Sequence, residues 1–311
     1  MDYDCYECVD RGSLHCPCVL MEAGQCYSCT MIRDGKCSCQ DAAGWKGSCP
    51  YTEYMQGQRG SAFEVDSPVV SNKTYSASLS VVRVDVPAGI AVRCRRPGTF
   101  MMAEAAGWRT PLSVLRSGMD EECQRGGFIE FAVQPVGPKT KWLVEQKRWK
   151  MTGPYYSGLL GMSEGDLAKD ALIIAKGTAA APFVCSKERF TGQVTIYMDS
   201  NKLNDDFVQE YICGEEENIQ YRSANLIDEE CRMRVRNLIE KVGEEGSRKI
   251  WLLVSPFYVH ELTEGLPEEL RKNIIVPNPA NMCCGEGICG ACSHTDENGI
   301  TVRLCKCTNT W

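Results

Sequence analysis

The sequence has no apolar run long enough to span a membrane, and its Met-Asp-Tyr-Asp start lacks the basic and apolar regions of a signal peptide. Basic residues are not in excess. Lys and Arg number 34 against 41 Asp and Glu, so the net charge of −7 leaves no electrostatic footprint for nucleic acid. Histidine is scarce, with three in 311 residues, and no nucleophile–base constellation stands out. These absences exclude a membrane-inserted protein and a nucleic-acid binder from the expectations and place the chain in the cytoplasm. They also leave any chemistry to cofactors.

Cysteine is what the chain has in quantity. There are twenty, nine before residue 50, six after residue 282 and five between. A reducing compartment argues against a disulfide framework at this density and for metal. Near the C-terminus the chain reads Cys283-Cys284-Gly-Glu-Gly-Ile-Cys289-Gly-Ala-Cys292, followed by Cys305 and Cys307. Cys284, Cys289 and Cys292 fall at C-x4-C-x2-C with a distant fourth thiol, the spacing of plant-type [2Fe–2S] centres. Thiolates are soft donors suited to iron and sulfide. The intervening glycines let the backbone wrap closely and aim N–H groups inward. Cys284, Cys289, Cys292 and Cys305 are assigned as ligands, with Cys307 the rival to Cys305. A zinc knuckle is the bland alternative, but zinc sites more often use C-x2-C pairs on both sides.

Residues 1 to 60 repeat themselves. Cys5-x2-Cys8-x7-Cys16-x-Cys18 recurs as Cys26-x2-Cys29-x7-Cys37-x-Cys39, shifted by 21 positions, and Tyr6 maps onto Tyr27. Each half supplies four thiols, enough for one tetrahedral site. A segment this short, with few large aliphatic residues, would draw its folding energy from metal. Two zinc sites are the first reading, and a [4Fe–4S] cluster shared between the halves is the alternative. Docking to a partner, or electron relay if the metal is iron, would be its task.

From residue 62 to about 160, segments 76–86, 90–95, 99–103 and 128–135 carry β-branched or aromatic residues between turns, which reads as a small antiparallel barrel. After residue 168, strands at 171–175, 193–198 and 250–254 alternate with helices at 205–212 and 231–242. That alternation indicates a parallel α/β domain, whose ligands bind at the carboxyl ends of its strands.

Several strings occur in order ahead of the terminal Cys cluster: Pro97-Gly98-Thr99-Phe100, Arg109-Thr110-Pro111-Leu112-Ser113, Gly137-Pro138-Lys139-Thr140 and Gly153-Pro154. Through them the chain, from about residue 62 onward, resembles the FAD and iron–sulfur electron-transfer subunit of dihydroorotate dehydrogenase. It is also similar to the small subunit of NADH-dependent ferredoxin:NADP oxidoreductase, within the ferredoxin-reductase superfamily. The N-terminal repeat lies outside the resemblance. Beside the Cys-rich metal-binding repeat at 1–60, the resemblance implies three parts: an FAD-binding β-barrel at 61–165, an NAD(P)-binding-like α/β domain at 166–276 and a [2Fe–2S] domain at 277–311. It places Arg109, Thr110, Pro111, Leu112 and Ser113 against the flavin, Gly137 and Thr140 at a turn, and Gly153-Pro154 at a phosphate region. A guanidinium can neutralise a diphosphate, and a hydroxyl can bond the flavin edge. Tyr155-Tyr156-Ser157-Gly158 departs from the small residues usual there.

In the α/β domain the resemblance implies a nucleotide loop, Gly177 to Pro182, and a later C-G-P string. The middle glycine of the loop is Ala179, and the later string reads Val254-Ser255-Pro256. A methyl group obstructs close approach of backbone to a pyrophosphate, so these departures weigh against NAD(P)H. The resulting expectation is an electron-transfer subunit. It moves electrons between FAD and a [2Fe–2S] cluster, to or from a catalytic or electron-donating redox subunit of a larger complex. The alternative is a non-catalytic metal-binding adaptor that has lost nucleotide binding.

Overall fold

The computed structural model describes residues 63–119, 126–200, 203–214, 216–287, 289–295 and 301–307. The repeat cysteines, Cys5, Cys8, Cys16, Cys18, Cys26, Cys29, Cys37 and Cys39, lie outside the described residues.

Seven antiparallel strands form the first sheet, in the order β4-β3-β7-β1-β2-β6-β5. They are β1 (Phe63–Ser76), β2 (Leu79–Pro87), β3 (Phe100–Ala105), β4 (Trp108–Ser113), β5 (Arg116–Met119), β6 (Gly126–Val133) and β7 (Arg148–Tyr155). On β2 the residues Val82, Val84 and Val86 point into a core shared with Ile129, Phe131 and Trp149. The period-2 alternation of that stretch is what makes it a strand with one face buried. A seven-residue helix, α2 (Pro138–Val144), closes this core with Leu143, whose carbonyl accepts from Trp149 Nε1 at 3.0 Å.

One expected strand is a helix. Residues 90–95 were read as extended, but α1 (Ala88–Arg93) turns there. Its Ile90 and Ala91 are buried, and Ala91 lies against Gly127 so closely that a Cβ on the glycine would meet it at 2.5 Å. Pro87 precedes the first turn, where a missing N–H costs nothing. Two β-branched residues in so short a stretch do not outweigh the burial the helix gains.

The second sheet runs β11-β10-β9-β12-β13-β8. Its strands β9 (Ala171–Lys176), β10 (Val194–Asp199), β11 (Ile219–Ser223), β12 (Lys249–Leu253) and β13 (Ile274–Pro277) are parallel, and β8 (Leu159–Leu160) adds an antiparallel edge. Both faces of β9 are buried: Ile173 and Ala175 enter one core, Leu172 and Ile174 the other. That double burial explains the unbroken apolar run. The first of these cores also takes in Leu79, Val81 and Leu115 from the barrel sheet, so the two sheets share buried apolar surface. The long helix, α5 (Glu229–Glu245), covers the other face with Val235, Ile239 and Val242. Asp228 caps it by accepting from Cys231 N at 2.8 Å, and Gly246 ends it in the left-handed region. The shorter helices of this part are α3 (Ala181–Ser186), α4 (Asp205–Phe207), α6 (Pro256–Thr263) and α7 (Glu268–Arg271). The helix expected at 205–212 is thus one turn of α4 followed by a wider turn over Val208–Ile212. A hairpin of β14 (Ser293–Thr295) and β15 (Thr301–Arg303) completes the described chain.

Among the described residues, no helix is long and apolar enough to cross a membrane.

Candidate cluster loop and flavin face

Four thiols come together in the C-terminal loop. Their sulfurs lie within interacting reach of one another, Cys284 with Cys289 and with Cys305, and Cys292 with Cys305. This closeness pulls the Cys284 and Cys292 thiols below their ordinary value and pushes Cys289 and Cys305 up. Cys284, Cys292 and Cys305 are buried, and Cys289 is exposed. Of the two rivals for the fourth place, Cys305 lies within reach of both Cys284 and Cys292. Cys307 is buried beside them, and Cys283 is exposed.

The loop's backbone turns on three glycines. Gly285, Gly287 and Gly290 have φ of +71°, +75° and +75°, where a side chain is strained. Glu286 N donates to Cys284 Sγ at 3.3 Å. Arg303 is 6% exposed, and its NH1 donates to Ser293 Oγ at 2.7 Å. Its Nε and NH2 have no partner among the described residues, and its charge acts on Cys292. A buried guanidinium with two unmet donors beside thiolates is the environment an anionic metal–sulfur group satisfies. The donor set and this orphaned cation fit an iron–sulfur centre.

The residues that seat the loop were not foreseen. Tyr155 Oη donates to Glu286 Oε1 at 2.8 Å, and its ring stacks on Phe100 with centroids 5.2 Å apart. The same ring lies against Gly285 so tightly that a Cβ there would come within 2.8 Å. Ser157 Oγ donates to Cys305 O at 2.6 Å, and Asn278 Nδ2 holds Ser157 O and Leu304 O, each at 2.8 Å. The stretch 155–158, singled out because it lacks the usual small residues, is the seat of the cluster loop. Its departure was the available signal, though nothing local says what it contacts. Lys306 and Glu286, both buried, lie 3.7 Å apart at the same place.

The flavin string occupies β4, an edge strand. Arg109, Pro111 and Ser113 share its exposed face, Leu112 enters the barrel core and Thr110 is half-buried on Leu112's side. The five residues thus divide between two faces. Arg109 lines a groove of about 350 Å³ with Met102, Glu104, Lys150 and Thr152, and Glu64 and Asp66 border it. Thr152 Oγ1 is buried without a hydrogen-bond partner, as is Thr110 Oγ1. An orphaned hydroxyl lining a groove fits a polar ligand. Thr140 Oγ1 bonds back to Gly137 at the start of α2, and Lys139 sits over the Trp108 ring at 5.2 Å, which brings that turn beside the start of β4. Gly153 has φ of +145°, and a Cβ would fall 2.6 Å from Met101 Sδ; Pro154 follows it into the seat of the loop.

Gly177 and Pro182 stand apart from this groove, at the carboxyl end of β9 in the other sheet. Gly177 has φ of +59°, and Pro182 opens α3. Lys176, just before them, is ion-paired with Asp199 at the end of β10, and its ammonium lies 5.3 Å from the Tyr258 ring. Asp199 also accepts from Leu226 N at 2.8 Å. Val254 is buried, and Ser255 begins α6.

No protein-family description matches the chain, and no curated protein matches it. Solved structures do. An NADH-dependent reduced ferredoxin–NADP oxidoreductase, studied for flavin-based electron bifurcation, superposes with a TM-score of 0.54 at 20% identity, over 77% of this chain and 85% of that one. The ferredoxin reductase of carbazole 1,9a-dioxygenase gives 0.51 at 22% identity, over 70% and 67%. A ferredoxin NADP+ reductase from Neisseria gonorrhoeae, with bound FAD and NADP, gives 0.50 at 13% identity, over 70% and 98%. At these identities the likeness is one of fold: an antiparallel half-barrel followed by a mixed, mainly parallel sheet, as in ferredoxin reductases.

Proposed function

We propose that this chain is an electron-transfer subunit of a multisubunit oxidoreductase, of the dihydroorotate dehydrogenase type, holding FAD and a [2Fe–2S] cluster. The observation that carries the reading is the seating of the four-thiol loop, through Tyr155 and Ser157, on the barrel sheet whose edge strand exposes Arg109, Pro111 and Ser113. When bound, a flavin supplies the conversion between hydride pairs and single electrons, and an iron–sulfur centre supplies one-electron steps.

The residues do the positioning. Cys284, Cys289, Cys292 and Cys305 would hold the cluster, with the Gly-rich backbone around it. Arg109 would neutralise the diphosphate of FAD, and Ser113 would offer its hydroxyl to the flavin. Thr152 offers an unmet hydroxyl within the same groove. No acid–base residue is needed for transfer of this kind.

The nucleotide domain supports a partner as the source or destination of electrons. In dinucleotide-binding sheets an acid about 20 residues after the glycine loop takes a ribose hydroxyl. Asp199 stands at that place, and Lys176 and Leu226 N already occupy it. The same observation favours the second reading, an adaptor without nucleotide chemistry. The N-terminal repeat is proposed to bind two zinc ions, or one [4Fe–4S] cluster, and to dock the partner subunit.

Anaerobic purification with flavin, iron, sulfide and zinc analysis tests these readings. Bound FAD with absorbance at about 450 nm, and two irons with two sulfides beyond any N-terminal metal, are expected. A colourless, flavin-free protein would leave the adaptor.

A further inference from the structure

Among the described residues three charged side chains are buried around the four thiols, Glu286, Arg303 and Lys306, and Arg303 is the one with no ion pair among them. Lys306 has Glu286 at 3.7 Å. Arg303, on β15 two residues before Cys305, has one hydrogen bond, to Ser293 Oγ, and two donor nitrogens with none among the described residues. Desolvating a guanidinium without an acceptor is costly, so the fold gains from placing an anion there. β15 pairs with β14 so that Arg303 lies opposite Ser293, the residue after Cys292. The strand register thereby sets the guanidinium on Ser293, where its charge reaches the neighbouring Cys292.

We propose that Arg303 is the counter-cation of the cluster, a positioning residue whose Nε–H and NH2 groups bond its sulfurs and stabilise the reduced, more negative state. This rests on the cluster assignment above and deepens it. Four thiolates make the assembly anionic in both redox states, and one added electron increases the attraction to a fixed buried cation. Arg suits the place better than Lys, because its planar fork presents several donors to neighbouring sulfurs and it is never deprotonated. Glu286 acts in the opposite sense, offsetting Lys306, so among the described residues the buried side-chain charge left beside the thiols is that of Arg303.

The experiment uses the full chain, purified anaerobically, with Arg303→Lys, Arg303→Gln and Glu286→Gln. Iron and sulfide are counted, and the cluster is titrated potentiometrically by EPR. At a fixed poise, Arg303→Gln is expected to lower the ratio of reduced to oxidised cluster about tenfold, the equilibrium counterpart of one charge-assisted bond. Arg303→Lys should lose less, and Glu286→Gln should raise the ratio. If Arg303→Gln loads no cluster, recovery of the cluster in Arg303→Lys supports the charge. Loading by Arg303→Gln equal to that of Arg303→Lys, with unmoved potentials, overturns the proposal. A wild-type protein without iron instead overturns the cluster assignment itself.

Discussion

Lys176 and Asp199 face each other across the ends of adjacent parallel strands, in register and ion-paired, at the carboxyl edge of the second sheet. The side chains are 15% and 4% exposed. On the proposed reading the pair closes the nucleotide crevice, together with Ala179 in the loop and Val254-Ser255 after β12.

Direct reduction of the flavin by NADH or NADPH is accordingly expected to be weak or absent. Anaerobic stopped-flow of the isolated subunit, following flavin bleaching, measures it. Ala179→Gly alone should not restore bleaching, because the Lys176–Asp199 pair and Val254-Ser255 remain. Lys176→Met leaves the Asp199 carboxylate buried and unpaired, and should cost about 3–5 kcal/mol of stability. The double variant with Asp199→Asn should be milder, since Leu226 N keeps its acceptor. Rapid bleaching at micromolar NADH would show that the crevice is open.

Cys289→Ser should abolish the cluster's EPR signal and leave flavin bound, because Cys289 lies in the terminal loop and the flavin string lies on β4. Cys305→Ser should do the same, and Cys307→Ser should keep a cluster. The reverse order for Cys305 and Cys307 would transfer the fourth ligand to Cys307. Loss of both cofactors in folded Cys289→Ser would show that the two sites are not separate.

A peptide of residues 1–55 should take up zinc, or assemble iron and sulfide, under anaerobic conditions, and fold as it does so. Circular dichroism with metal analysis follows the transition. Deleting the segment should leave a flavoprotein that no longer joins its complex. A peptide unchanged by either treatment, together with a full-length protein holding two irons and no zinc, would refute the reading.

Asp166 offers a pH test of the turn that joins β8 to β9 within the second sheet. Its carboxylate is fully buried in the turn between β8 and β9, bonded to Lys169 at 2.9 Å and Ser163 N at 2.7 Å, with Lys249 at 3.8 Å. Burial pushes its pKa up, but these bonds and charges prevail and hold it below the ordinary value. A carboxyl whose pKa falls on folding stabilises above its unfolded pKa, and the contribution is lost as pH falls through the folded one. Asp166→Asn should therefore cost about 1–3 kcal/mol at neutral pH. Its deficit should shrink below roughly pH 4. Urea unfolding at several pH values measures both, and a deficit independent of pH would contradict the argument.

Much of the fold was legible. The alternation on β2, the buried runs of β9 and β12 and the span of α5 are local patterns, and each came out where its period placed it, within a few residues. Residues 90–95 failed because a helix of six residues has no room to show a period. In the candidate site, the C-x4-C-x2-C spacing brought forward the thiols that the fold then gathers, since ligand spacing within one loop is itself a short-range property.

The sequence by itself determined the kinds of chemistry available: thiols in a Gly-rich loop, and an Arg and a Ser at alternate positions of one strand. Only the tertiary structure decided which parts meet. Ser157 reaches Cys305 across 148 positions, and Tyr155 reaches Glu286 across 131. Arg303 shows two donors unmet among the described residues only when β15 is paired and buried, and Lys176 gains its ion pair only when β10 sets Asp199 beside it. Periodicity and spacing encode local geometry, whereas burial and charge pairing depend on distances that exist only once the chain has closed on itself.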